Sequence, residues 1–395
     1  MMKHVAANAL TLMIVGLILL GGVLAAGQRA FFAEGPLTDA VCLRIQPGAN
    51  LSAVTRDLDA HGAISSATLF RVGAQQTDRA GRLRFGSYLI EPGASMDQIL
   101  DQVTRGGAST CGTELQLRIG VTRSALLLRE LDPATQRLEE RFNLPLDTDP
   151  LPEDFIEQAA LPDTRLRVTI AEGVTSWQVW NALRQADFLS GDLPEVPDEG
   201  SLAPDTYDVR RGQDRAALVA EIQARQQAIL ADAWETRAEG LPITDPQEVL
   251  ILASIIEREA GGPRELAEVA AVFYNRMARN MRFQMDATII YGITRGEGVF
   301  GRSITRQDIN GVTERRQHGE VLYNTYQIDG LPPGPIANPG RAAILATLNP
   351  DQNDYLFFVA DGTGGHAFAE TLAQHNRNVE RWRAIEAEQR LQQQQ

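Results

Sequence analysis

Two glutamates, Glu257 and Glu259, close a stretch that is otherwise almost wholly apolar, and a carboxyl group in apolar surroundings is the raw material of a general acid. Glu259 follows Ile256 and Ile255 by three and four residues and Leu252 by seven, which places it on the apolar stripe of a helix. Glu257 follows Ala253 and Ser254 instead. Desolvation and the negative end of a helix both raise a carboxyl pKa, so an acid at Glu259 would keep its proton near neutral pH and hand it to a leaving group. The same residues also suit two surface glutamates at a fraying helix end, because acids rarely stay buried without partners. This stretch by itself leaves both readings open.

The element that must carry Glu259 is written locally, from Asp245 to Pro263, as DPQEVLILASIIEREAGGP. Asp245 is a capping residue, Pro246 suits the first helical position, and Glu248 stands where a capping-box side chain reaches back. Between Val249 and Ile256 only Ser254 is polar, which predicts a helix buried nearly all round. Gly261, Gly262 and Pro263 stop it. A second helix is expected over Leu266 to Ala278, where Val269, Val272, Phe273 and Met277 share one face.

Other site chemistries fit less well. His366 and His375 are nine apart rather than the i, i+4 of a helical zinc pair, so no metal is expected. The glycine runs at 296–301 and 362–365 lack the Gly-Lys-Ser/Thr ending of a phosphate loop, and no cofactor is expected. Gly330 to Pro335 reads as a rigid turn that positions a wall.

The chain has 395 residues and a formal net charge of -14, which argues against nucleic acid as a partner, since that usually calls for a basic face. Residues Val5 to Gln28 carry no charge, and Val5 to Ala26 are predominantly apolar. At about 1.5 Å per residue that run crosses a ~30 Å hydrocarbon core, so it reads as an uncleaved membrane anchor with the body exported. Cys42 and Cys111 each open a strand-like run; a bridge between them is expected in an oxidising compartment, and two unpaired cysteines stay open as the alternative, because sequence gives no Cα separation.

Between the anchor and the central helix one unit recurs four times: a short strand, a turn glycine, a capping residue two positions on, then a helix. The glycines are Gly48, Gly93, Gly173 and Gly212, and the caps are Asn50, Ser95, Thr175 and Asp214. Four different cap residues share the ability to accept a backbone N–H, which makes the repeat credible. Such units cannot bury a face alone, so they should pair into small α+β subdomains, either glycan-binding or plain spacers. Asp132 to Asp163 is acidic and carries five prolines, and it reads as an insertion or linker. Arg215 to Arg237 reads as a connecting helix, and Arg377 to Gln395 as a solvated, helix-prone tail.

The segments FQMDATIIYG from Phe283, YNTYQIDGLPPGPI from Tyr323 and FVADGTGGHAF from Phe358, together with ASIIERE from Ala253, occur in that family's order in what resembles the endolytic murein transglycosylases of the MltG (YceG-like) family. That family carries an ASI(I/V)EKE helix, an LQ(S/T)DPTVIYG strand, a YNTY…GLPPGPI loop and an FVADG…GGHxF end. The resemblance is dense over Leu250 to Trp382. This chain departs with Arg258 in place of lysine, Met285 before Asp286, and Ala287 in place of proline.

The resemblance implies that Glu259 is the catalytic acid and that Gln284, Asp286, Tyr323, Asn324 and Tyr326 bind substrate, although the Tyr-Asn-Thr-Tyr run suits buried structure equally well. It implies non-hydrolytic cleavage of the MurNAc–GlcNAc β-1,4 bond of nascent glycan strands with 1,6-anhydromuramyl ends. Two rivals remain: a hydrolytic glycosidase using Glu259 and Asp286, and a peptidoglycan-binding scaffold without cleavage. The partners implied are peptidoglycan glycan strands, the bacterial inner membrane and cell-wall synthesis proteins, with a periplasmic body. The expected fold is α+β: a transmembrane anchor at 1–34, a LysM-like subdomain at 35–112, a linker at 113–165, a second LysM-like subdomain and helix at 166–240, a catalytic α+β domain at 241–385 and a polar tail at 386–395.

Overall fold

The computed structural model describes residues 2–106, 109–310 and 320–393, and the chain is mixed α+β. It divides into two compact units: Met1–Gln116, Leu127–Leu144 and Thr148–Leu166 form one, and Leu117–Leu126, Pro145–Asp147 and Arg167–Gln395 form the other.

The first unit begins with α1 (Met2–Phe32), whose segment Leu12–Phe32 is long and apolar enough to cross a membrane. Its side chains from Leu12 to Leu24 lie exposed, a surface that lipid tolerates and water does not. At its far end Phe31 is buried, and a Cβ on Gly73 would fall 2.2 Å from the Phe31 ring, so only glycine fits beneath it. The chain continues through β1 (Val41–Ile45), α2 (Leu51–Ala60), α3 (Ala67–Gln76), β2 (Gly86–Ile90) and α4 (Met96–Arg105). Strands β1 and β2 pair antiparallel with Leu43 opposite Tyr88. Their inward residues meet Val54, Leu58, Phe70, Ile99 and Leu100 in one core. Cys42 and Cys111 are bridged, with Cα atoms 5.8 Å apart.

Next come β3 (Thr113–Ile119), β4 (Ser124–Asp132), β5 (Arg137–Pro145), α5 (Glu153–Ala159), β6 (Arg165–Ile170), α6 (Ser176–Arg184), β7 (Leu189–Ser190), β8 (Thr206–Val209), β9 (Gln213–Asp214) and α7 (Arg215–Glu235). Five of the strands form a sheet in the order β5-β4-β3-β6-β8, and β7 pairs parallel to β9. The proline-bearing stretch from Asp132 to Asp163 thus holds β5 and α5, and Asp163 at its end pairs with Arg44 at 2.8 Å and accepts from Ser87.

All four strand-to-helix turns take the same form. Gly48, Gly93, Gly173 and Gly212 adopt φ between 72° and 79°, a region that glycine enters without a Cβ penalty. The caps Asn50, Ser95, Thr175 and Asp214 then accept from Ala53, Gln98, Gln178 and Ala217 N–H. At Ser95 and Thr175 the glutamine three residues on returns the bond, completing a capping box.

The second unit ends in α8 (Pro246–Glu259), α9 (Leu266–Ala278), α10 (Asp286–Thr294), α11 (Arg306–Asn310), a 3-10 turn (Glu320–Tyr323), α12 (Arg341–Leu348), β10 (Phe357–Ala360), β11 (His366–Ala369) and α13 (Leu372–Gln393). Helix α8 buries Val249, Leu250 and every residue from Leu252 to Ile256, and it packs on α9 and α12. Phe273 and Phe283 meet edge to face at 5.0 Å in the same core. Two local expectations are corrected. Glu248 accepts from Thr244 N–H, one residue before the cap, so it does not close a capping box on Asp245. The stretch after Phe283, expected as a strand, is the helix α10, for reasons that lie in its neighbours.

Candidate active site

Glu259 is the last residue of α8 because the chain leaves helical geometry at Ala260 and then meets an obstacle. A Cβ on Gly261 would lie 2.4 Å from the Gly364 carbonyl, so glycine is required for the chain to turn against that backbone. The side chain keeps partial contact with solvent, yet protein atoms crowd its carboxyl. Burial above all, helped by the Asp286 charge, pushes Glu259 up to about 7 against the opposing pull of the Ala287 N–H, His366 and Arg258. A carboxyl tuned there is protonated in a useful fraction at neutral pH.

The donor from Ala287 comes from the first turn of α10, a short helix held from outside. Met285 N–H donates to Thr325 Oγ1 at 2.9 Å, Gln284 N–H to the Thr325 carbonyl at 3.1 Å, and the Thr288 and Thr325 hydroxyls share a bond of 2.9 Å. Thr325 is fully buried, and these bonds lace the start of α10 to the loop after the 3-10 turn. Isoleucine and threonine favour strands by propensity, but the Thr325 lacing and the burial of Thr288 and Ile289 outweigh that preference. Gln284 sits at φ 56° at this junction, with its side chain exposed. Ser254, the one polar residue inside α8, accepts from Ile336 N–H at 3.0 Å and so docks the proline-rich loop on the helix that carries the acid.

The residues singled out in the sequence fall into two groups. Asp286 is exposed, accepts from Tyr326 Oη at 2.8 Å, and its charge raises Glu259, while the Glu259 charge helps to raise the Tyr326 hydroxyl. These three are brought together. Tyr323 is buried and stands with Tyr291 at 5.0 Å and under Arg295 at 5.2 Å. Asn324 is buried too; its amide donates to the Ile309 carbonyl at 2.9 Å and accepts from Tyr326 N–H at 3.1 Å, so it shapes the loop that presents Tyr326.

Two further carboxyls share the unusual acidity of Glu259. Burial pushes Glu257 up to about 7, the neighbouring Glu172 adds to this, and its Oε2 accepts from Gly340 N–H at 3.0 Å, at the start of α12. Burial likewise pushes Glu199 up to about 7, although it accepts from Ser176 N–H at 2.8 Å and bonds to Tyr291. Glu199, Thr325 and the fully buried Asn338, which binds the backbone of Val174 and Leu202, gave no local sign in the sequence, since each acts across more than twenty residues. A raised pKa therefore does not choose among the three glutamates; their neighbours do.

The raised values carry a stability prediction. A carboxyl whose folded pKa lies above its unfolded value favours the folded state fully below the unfolded pKa, and this contribution is lost as pH rises through the folded pKa. The second unit should therefore lose stability between pH about 4.5 and about 7. Glu199→Gln removes one such group while keeping an acceptor for Ser176. It should raise the unfolding free energy at pH 8 by on the order of 1–2 kcal/mol and change little at pH 4, as read by urea unfolding at both pH values. An equal effect at the two pH values would contradict the assignment.

The YceG-like family matches this chain over residues 43–148 and 145–381. The endolytic murein transglycosylase of Bacillus subtilis is 26% identical over 345 residues, covering 87% of this chain and 84% of that protein. The endolytic murein transglycosylase of Streptococcus pneumoniae serotype 2 is 24% identical over 86% of this chain, which spans 58% of the length of that relative. A yceG-like protein of Listeria monocytogenes, known as a crystal structure, is 22% identical with a TM-score of 0.43, covering 86% of this chain and 98% of that one. With the family pattern running through both units and reaching past the helix that ends in Glu259, the chain belongs to the YceG-like family.

Proposed function

We propose that this chain is a membrane-anchored endolytic lytic transglycosylase that cleaves the MurNAc–GlcNAc β-1,4 bond of nascent peptidoglycan strands and leaves 1,6-anhydromuramyl ends. The observation that carries the reading is Glu259: a carboxyl at the end of an apolar helix, pushed up to about 7, facing Asp286 and Tyr326 and bonded to the first turn of α10. The names of the bacillary and pneumococcal relatives point to the same class of reaction.

In this mechanism protonated Glu259 gives its proton to the bridging oxygen as the bond from that oxygen to muramyl C1 breaks. The carboxylate left behind is stabilised by the Ala287 N–H at the positive end of α10. It then takes the proton of the muramyl 6-hydroxyl as that oxygen bonds to C1, which closes the anhydro ring and restores the acid. Gln284 and Tyr326 supply a donor and a ring surface for sugars, Asp286 holds the Tyr326 hydroxyl in place, and the buried Tyr323 and Asn324 stand behind them in the loop that presents Tyr326.

The hydrolytic alternative has one observation in its favour, since the Asp286 charge acts on Glu259 and offers the second carboxylate that hydrolysis requires. The anchor would be single-pass in a bacterial inner membrane, with the body in the periplasm and small LysM-like subdomains at 35–112 and 166–240 holding glycan. One experiment tests reaction and location together. Carbonate-washed inner membranes should retain the activity, and mass spectrometry of digested glycan strands should find anhydromuramyl ends. Reducing ends would establish the hydrolytic reading, and intact strands the scaffold reading.

A further inference from the structure

Glu265 is a second glutamate near the acid, and its carboxylate ties together three points of the chain. Its Oε2 accepts from Gly261 N–H at 3.2 Å, two residues beyond Glu259, and binds His366 Nδ1 at 2.8 Å. Its Oε1 accepts from His366 N–H at 2.7 Å. The surrounding backbone leaves no slack. A Cβ on Gly365 would fall 2.5 Å from Glu265 Oε1, and the Gly261 position is closed by the Gly364 carbonyl. The imidazole is mostly buried and lies edge-on to Phe358 at 5.2 Å. Burial works to raise the Glu265 carboxyl, but the bonds from His366 and Gly261 outweigh it and hold it below the ordinary range.

We propose that Glu265 and His366 are positioning residues for the acid: Glu265 clamps the segment just beyond α8 to the first residue of β11 and so fixes the His366 imidazole where it acts on Glu259. The inference rests on the reading of Glu259 as the acid. The groups acting on Glu259 are Arg258 from its own helix, Asp286 and the Ala287 N–H from α10, and His366 from β11, while the Glu259 charge in turn acts on Tyr326 from the loop after the 3-10 turn. Of these groups, His366 is the one that the Glu265 carboxylate holds in place, through both its backbone N–H and its ring. A positive imidazole favours the carboxylate form of Glu259, so its removal should let Glu259 keep its proton to higher pH.

The test uses the full chain in detergent with carboxyl-labelled glutamate, assigning the Glu259 signal by its loss in Glu259→Gln. His366→Gln should move the Glu259 midpoint up by about half a pH unit or more, and the alkaline limb of kcat/KM for glycan cleavage should move with it. Glu265→Gln, which keeps an acceptor but releases the clamp charge, should give a smaller upward shift together with about a tenfold loss of kcat. An unchanged midpoint in either folded variant overturns the proposal, whatever happens to the rate. Because the midpoint is read without substrate, a wild-type protein that cleaves no glycan would defeat the functional reading and leave this result standing by itself.

Discussion

Glu259→Gln is expected to lower glycan cleavage by about 10²- to 10⁴-fold while the chain folds normally, the range over which a positioned proton-transfer group contributes. Glutamine keeps the side-chain shape and can still accept from Ala287 N–H, so the start of α10 has no reason to move. What it lacks is the proton. The comparison that gives this result meaning is Glu257→Gln, because both carboxyls are pushed up to about 7 and acidity alone does not separate them. Glu257 spends its Oε2 on Gly340 N–H, where it caps α12 from outside, while Glu259 faces the Asp286–Tyr326 pair and His366. A glutamine at 257 can still accept from Gly340, so its variant should keep activity within about tenfold, with a stability change of about 1 kcal/mol or less. The measurement is release of soluble fragments from purified glycan strands at matched protein concentration. Near-normal cleavage by Glu259→Gln beside a dead Glu257→Gln would show that the wrong carboxyl had been chosen.

Removing the Cys42–Cys111 bridge should cost the first unit ~4 kcal/mol, the chain-entropy figure for a closed loop of this length, less any relief of strain. The bridge spans 69 residues and joins β1 to the segment that precedes β3. That segment is also held without sulfur. Thr110 N–H donates to the Ser87 carbonyl at 2.8 Å, and Thr110 Oγ1 accepts from Leu89 N–H at 2.8 Å. These bonds and the core around Leu58, Phe70 and Ile99 should keep the native arrangement populated in a Cys42→Ser, Cys111→Ser variant at low temperature. The loss should appear as faster hydrogen exchange of the β1 and β2 amides and as a lower urea midpoint for the first unit, with glycan cleavage by intact protein unchanged at 25 °C. Exchange that stays within a few-fold of wild type would mean that the cross-link constrains little. Thiol counting under denaturing, non-reducing conditions should first find no free thiol in the purified protein.

The features legible in the sequence are those whose causes lie within a few residues. The bounds of α8 follow from Asp245, Pro246 and the Gly261-Gly262-Pro263 stop, and α9 runs from Leu266 to Ala278 as its apolar spacing requires. The four glycine-and-cap turns are set by a positive φ and a side-chain bond reaching three residues ahead, so the pattern survives although the cap residue differs each time. The apolar run that becomes α1 and the stripe that carries Glu259 were visible for the same reason. What only the tertiary structure decided is everything that depends on a partner distant in the chain. Helix α10 takes its form from Thr325, thirty-seven residues beyond Thr288, against the strand preference of its own residues. The acidity of Glu199 comes from loops that close around it, and the fate of Glu257 from Gly340, eighty-three residues away. Local sequence encodes dihedral preference and short-range hydrogen bonds, whereas desolvation and charge coupling arise only when separate segments pack together.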